Sequence, residues 1–111
     1  MKNQQLINFY TYQDNLIYTN FANIKTLMSD NLSKYQDAFI EAFELEDKDQ
    51  LSELKYQSID EWDSIGHMAL MAELESNFEI TIKTEDLIVF ESYKQGIEIL
   101  ARYDIIVQLP D

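Results

Sequence analysis

The chain predicts an all-helical domain, and three observations carry that expectation. Two glycines and one proline in 111 residues are too little turn chemistry for a β-rich fold. Beyond residue 33 the sequence is rich in Leu, Glu, Ala, Met and Lys, which favour helix. Apolar residues return at three- and four-residue steps in several separate stretches. At this length there is room for one core, so the expected division is an N-terminal extension over 1–32, with one helix in it, and a main domain over 33–111.

In the extension, Leu6, Asn8, Tyr10 and Tyr12 alternate with Ile7, Phe9 and Thr11, a pattern that suits a strand edge. Further on, Ile17, Phe21, Ile24 and Met28 recur at helical spacing behind Asp14, a possible cap, and favour a helix over 15–28. Phe9, Tyr10, Tyr12, Tyr18 and Phe21 are too many aromatics to leave in water. They suit an extra helix packed on the bundle, or a docking arm for a partner or second copy. Alternatively, translation begins at Met28.

Ser33 and Gln36 form a capping-box pattern ahead of Tyr35, Phe39, Ala42, Phe43 and Leu45, so the first main-domain helix is expected to start at Ser33. Asp47 and Asp49 have the alternate spacing of a calcium loop, but the central Gly and the terminal Glu are missing, which excludes an EF-hand. Leu51, Leu54, Tyr56 and Ile59 lie in a long connection ending at Trp62. Asp63 is a good N-cap, Gly66 is the last permissive residue, and the Met-, Ala-, Leu- and Glu-rich run from His67 favours a second helix. Leu70, Leu74 and Phe78, with His67 and Met71, share one face of it; Ile65, Met68 and Ala72 fall on another, as a contact patch would.

A short helical turn is expected after Thr84, anchored by Leu87 and Ile88. Ser92 and Gln95 repeat the capping-box pattern before a last helix whose inward face is Tyr93, Ile97, Leu100 and Tyr103. Gly96 inside that helix costs about 1 kcal/mol relative to Ala, so it marks a close contact. Residues 105–111 read as an extended end.

A net charge of −13 argues against nucleic-acid binding, because polyanions repel. The acidity is uneven: residues 1–36 hold two acids against three lysines, leaving a balance of −14 beyond them. With no Cys, neither disulfides nor a thiolate metal site can form. No apolar run reaches the length of a membrane span, and the N-terminus lacks the pattern of a signal peptide. A cytoplasmic monomer is expected.

The function is expected at Ser64. It sits at a helix N-terminus, where unpaired N–H groups and the positive end of the helix dipole suit an anionic group on the hydroxyl. Asp63-Ser64-Ile65, followed by Leu70, Leu74, Glu75 and Phe78 and then by Ile80, Ile82, Phe90, Tyr93, Ile97 and Leu100, resembles the acyl carrier protein family. The resemblance covers about two-thirds of the chain, over 33–103, and the extension lies outside it. It implies a four-helix bundle of three long helices and one short, the short third helix shifting when cargo enters. It also implies that Ser64 carries 4′-phosphopantetheine, transferred from coenzyme A by a phosphopantetheinyl transferase using a divalent metal.

The implied role is carriage rather than catalysis: acyl or aminoacyl groups held as thioesters and delivered to loading and transferring enzymes. Asp63 would help the transferase place its metal and coenzyme A. Partner contact is implied at Ile65, Met68, Ala72 and Glu75. Trp62 is either a structural plug or a partner contact beside them, and the cost of exposing a lone Trp favours the plug. Gly66, Ala69 and Ser76 stand where fatty-acid carriers are acidic, so the run from Trp62 to His67 looks more like the specialised stand-alone bacterial carriers.

Two other readings compete with this one. Asp63, Ser64 and His67 as a hydrolase triad lie too close along one helical turn to orient one another, and no Gly-x-Ser-x-Gly elbow is present. A carrier-like bundle acting only as a protein-interaction module, with Ser64 as an ordinary helix-start serine, is the other.

Overall fold

A computed structural model describes residues 14–108, without the side chains of 14–22 and 24; the alternating segment over 6–12, the side chains of Ile17, Tyr18, Phe21 and Ile24, and the last three residues lie outside that description. The described chain is all-α. In order come α1 (Asp14–Phe43), a 3₁₀ turn (Leu51–Glu53), α2 (Ser64–Phe78), α3 (Thr84–Val89) and α4 (Tyr93–Ala101).

The expected break at Ser33 does not exist. α1 runs unbroken for 30 residues, because cap-type residues at 29–33 can start a helix but no Gly or Pro there ends the one already running. Asn31 is instead buried in the helix, its Nδ2 donating to the Ile106 carbonyl oxygen at 3.1 Å. The start of the end segment, expected as extended chain, is docked here, with Ile105 and Val107 in the core.

Helix ends are made without glycine. Glu44, Glu79 and Asp104 take left-handed φ values of 54°, 55° and 64° just past α1, α2 and α4. The next residue in each case, Leu45, Ile80 or Ile105, donates its N–H back five residues, to Ile40, Glu75 or Leu100. Each of these followers is apolar and packs on the core.

The core is aromatic. Trp62 packs edge-on against Phe39 at 5.6 Å and tilted against Phe43 at 5.2 Å, while Phe39 and Tyr35 both meet Tyr93 at about 5 Å. Burial, reinforced by the neighbouring Tyr93, pushes the Tyr35 phenol well above its ordinary range. It stays protonated and donates to the Tyr93 carbonyl oxygen at 2.7 Å. Gly96 is a close contact as expected: a Cβ there would lie 2.1 Å from Phe90 Cζ and 2.2 Å from Tyr35 Oη.

Two backbone bonds, Tyr56 N–H to Glu91 O (2.9 Å) and Tyr93 N–H to Leu54 O (3.0 Å), tie the long connection to the start of α4. Ser92 caps α4 by accepting from the Gln95 N–H at 3.0 Å. The Gln95 side chain reaches one residue further back than a capping box requires, accepting from Glu91 N–H. No described helix is long and apolar enough to cross a membrane.

Candidate functional site

The site is the tip of α2 and the connection that delivers it. Gln57, at φ 69°, donates its N–H to the Trp62 carbonyl oxygen at 2.9 Å, closing the loop just before Asp63. Asp63 is extended, and its Oδ1 accepts from the Gly66 N–H at 2.8 Å while its carbonyl oxygen accepts from the His67 N–H, also at 2.8 Å. Ser64 and Ile65 are thus the first helical residues with N–H groups at the open end, where an anion is favoured. Ser64 is exposed.

Gly66 makes this geometry possible. A Cβ on it would lie 1.8 Å from the Glu61 carbonyl oxygen, so only a glycine lets the loop fold back onto the first turn. Asp63→Ala, which removes the cap without touching Ser64, is expected to cost about 1 kcal/mol. A chemical-denaturation midpoint lowered with an unchanged slope is the check.

Beside Ser64 opens a groove of about 370 Å³ between α2, α3 and the paired loop, lined by Tyr56, Ser64, His67, Met68, Leu87, Ile88, Phe90 and Glu91. Among the described residues no Lys or Arg lines it. Its apolar lining is open to solvent, with Ile88 65 % and Met68 54 % exposed and Tyr56 also outward, and the neighbouring Ile65 and Val89 are exposed too. Ile88 is therefore not the anchor it was expected to be. Leu87 packs on the core, and Ile88 follows it one position round the helix on the outer face.

Among the expected site residues, Asp63, Ser64, Ile65 and Met68 are exposed at the N-terminal end of α2, and Ala72 is exposed about two turns from Ser64. Two differ. Trp62 is completely buried, so it is the plug and not a surface contact. Glu75 is half-buried, with Oε2 accepting from the Ile82 N–H at 2.8 Å, which commits one of its oxygens to holding the α2–α3 connection.

His67, on the face it shares with Leu70 and Leu74, is buried, and its bonds say more. The Trp62 Nε1–H donates to His67 Nδ1 at 3.0 Å, and His67 Nε2 lies 2.9 Å from the Leu87 carbonyl oxygen. An indole N–H only donates, so Nδ1 is an acceptor and Nε2 carries the proton that Leu87 receives. Both ring nitrogens are engaged away from Ser64. At the far side of α3, buried Asp86 accepts from the Tyr103 hydroxyl at 2.5 Å and meets Arg102 Nη2 at 3.2 Å, while Tyr103 Oη accepts from the Lys83 N–H. Lone polar residues in a short helix give no periodic signal for such a network. Among the described residues no cluster of His, Asp and Glu could hold a metal ion; the Asp47–Asp49 pair is a local turn, Asp49 N–H donating to Asp47 Oδ1.

Comparison with known family models, curated proteins and solved structures returns no match.

Proposed function

We propose that this protein is an acyl carrier, with 4′-phosphopantetheine joined through a phosphodiester to Ser64 Oγ. The observation that carries the reading is the exposed Ser64 hydroxyl in the sequence Asp63-Ser64-Ile65 on the capped tip of α2. The residues present suit that group: the first-turn N–H groups favour a phosphodiester, and the apolar groove gives the arm a surface to rest on. When bound, the arm supplies the thiol that this cysteine-free chain lacks and holds an acyl or aminoacyl group as a thioester.

The chain's own contribution is placement. Asp63 holds α2's first turn with one oxygen and leaves the other to help a metal-bearing phosphopantetheinyl transferase align coenzyme A. Ile65, Met68 and Ala72, extended by Ile88 and Val89 across the groove, form an apolar face for the transferase and the loading and acyl-transferring enzymes. Delivery on a tether raises the local concentration of cargo at each docked enzyme. His67 supports the non-catalytic reading, since a base with both nitrogens committed elsewhere cannot activate Ser64.

The test is incubation with coenzyme A, Mg²⁺ and a broad-specificity phosphopantetheinyl transferase, read by intact mass. Wild type is expected to gain one phosphopantetheine and Ser64→Ala none. A folded wild-type protein left unmodified by several transferases would leave the bundle as an interaction module without the arm, and acyl-ester hydrolysis by the unmodified protein would restore the hydrolase.

A further inference from the structure

Resting on the carrier reading, we propose that the cargo of this protein stays outside the bundle, in the open groove beside Ser64, and that α3 does not part from α2 to admit an alkyl chain. The geometry holds α3 from two sides. On the α2 side, His67 Nε2–H donates to the Leu87 carbonyl oxygen at 2.9 Å and is itself fixed by the Trp62 indole at 3.0 Å. On the α4 side, Asp86 accepts from Tyr103 and pairs with Arg102, and Tyr103 also accepts from the Lys83 N–H that begins the helix.

Behind the first bolt there is no room to gain by a small shift. The Trp62 indole is fully buried against Phe39 and Phe43, rings that are 0 % and 1 % exposed. A chain entering between α2 and α3 must separate His67 from Leu87 and displace that indole, leaving buried polar groups unpaired. The groove outside asks for neither. Its wall of Tyr56, Met68, Ile88 and Phe90, with no cation among the described residues, suits short acyl groups or aminoacyl groups with apolar side chains. Because the groove is open, a long alkyl chain laid in it keeps one side in water.

The experiment loads apo protein from acetyl- and dodecanoyl-coenzyme A with the transferase and confirms loading by intact mass. Two readouts follow: the rate of thioester cleavage by hydroxylamine, and the indole N–H resonance in a ¹H–¹⁵N spectrum, unambiguous because Trp62 is the sole tryptophan. The expected result is cleavage rates within about twofold of each other and an indole resonance in the same place for both forms. Sheltering even two methylenes would slow cleavage roughly tenfold. A length-dependent slowing of that size, with the indole resonance displaced, overturns the proposal while leaving the carrier reading intact. Failure to load at all removes both. His67→Ala, which withdraws the bolt, is expected to make the dodecanoyl form more protected than the acetyl form; if its fold is lost, the two wild-type readouts still decide.

Discussion

Trp62→Ala is expected to destabilise the protein by about 3–5 kcal/mol, the range for removing a large buried aromatic. Trp62 is 0 % exposed, touches Phe39 and Phe43, and donates its only N–H to His67 Nδ1. Its removal empties the centre of the core and frees the histidine that holds α3. A domain this size has roughly 5–15 kcal/mol in total, so the variant should be largely unfolded in modest urea. Circular dichroism is the suitable readout, since the sole tryptophan is the residue removed. Trp62→Phe separates packing from hydrogen bonding: it keeps a ring but leaves Nδ1 without its donor, costing about 1–3 kcal/mol. A Trp62→Ala loss below about 1 kcal/mol would mean that the indole is not the plug.

Gly96→Ala is the second large effect. Helix propensity alone would make it stabilising by about 1 kcal/mol. The added methyl, however, would land 2.1 Å from Phe90 Cζ and 2.2 Å from Tyr35 Oη. Neither can retreat, because Phe90 is buried and Tyr35 is held by its bond to the Tyr93 carbonyl. Overpacking therefore wins, and a net loss of about 2 kcal/mol is expected in urea denaturation. Phe90→Leu in the Gly96→Ala background should recover part of it by removing the ring atoms in the way. A stabilised Gly96→Ala would contradict the packing of α4 on α1.

The two glycines show how much of the fold was legible and on what terms. Each stands where a helix meets another part of the chain too closely for a side chain, and both were readable as signals: Gly96 as a close contact, Gly66 as the permissive residue before the α2 run. The faces of α2 were legible for the same kind of reason, since Leu70 and Leu74 on one side and Ile65 and Met68 on the other follow from periodicity alone.

Where the sequence misled, a long-range contact or an absent stop signal was responsible. Ser33 has a helix-start pattern but lies mid-helix, because nothing upstream ends α1. Ile105 and Val107 enter the core beside a bond from Asn31, 75 residues away, to the Ile106 carbonyl oxygen, a contact that no local pattern encodes. Helix ends closed by Glu44, Glu79 and Asp104 instead of glycine carry no compositional mark, only the apolar residue that follows each.

At the tip of α2, the cap formed by Asp63 and the outward face of Ile65, Met68 and Ala72 were legible from residue type and spacing. The groove was only half visible. One wall comes from α2, but Tyr56 and Glu91 reach the other through a backbone pairing that no side-chain pattern encodes. His67 was legible as part of the face that α2 shares with Leu70 and Leu74; its place between Trp62 and Leu87 required the third dimension.

The most direct measurement is residue-level mass spectrometry of protein treated with coenzyme A and transferase. Fragmentation of the peptide spanning Asp63 and Ser64 is expected to place a single phosphopantetheine on the Ser64 oxygen, with every other hydroxyl unmodified. A folded protein that leaves Ser64 bare under those conditions, or that takes the group on a different residue, contradicts the assignment of this hydroxyl as the tether.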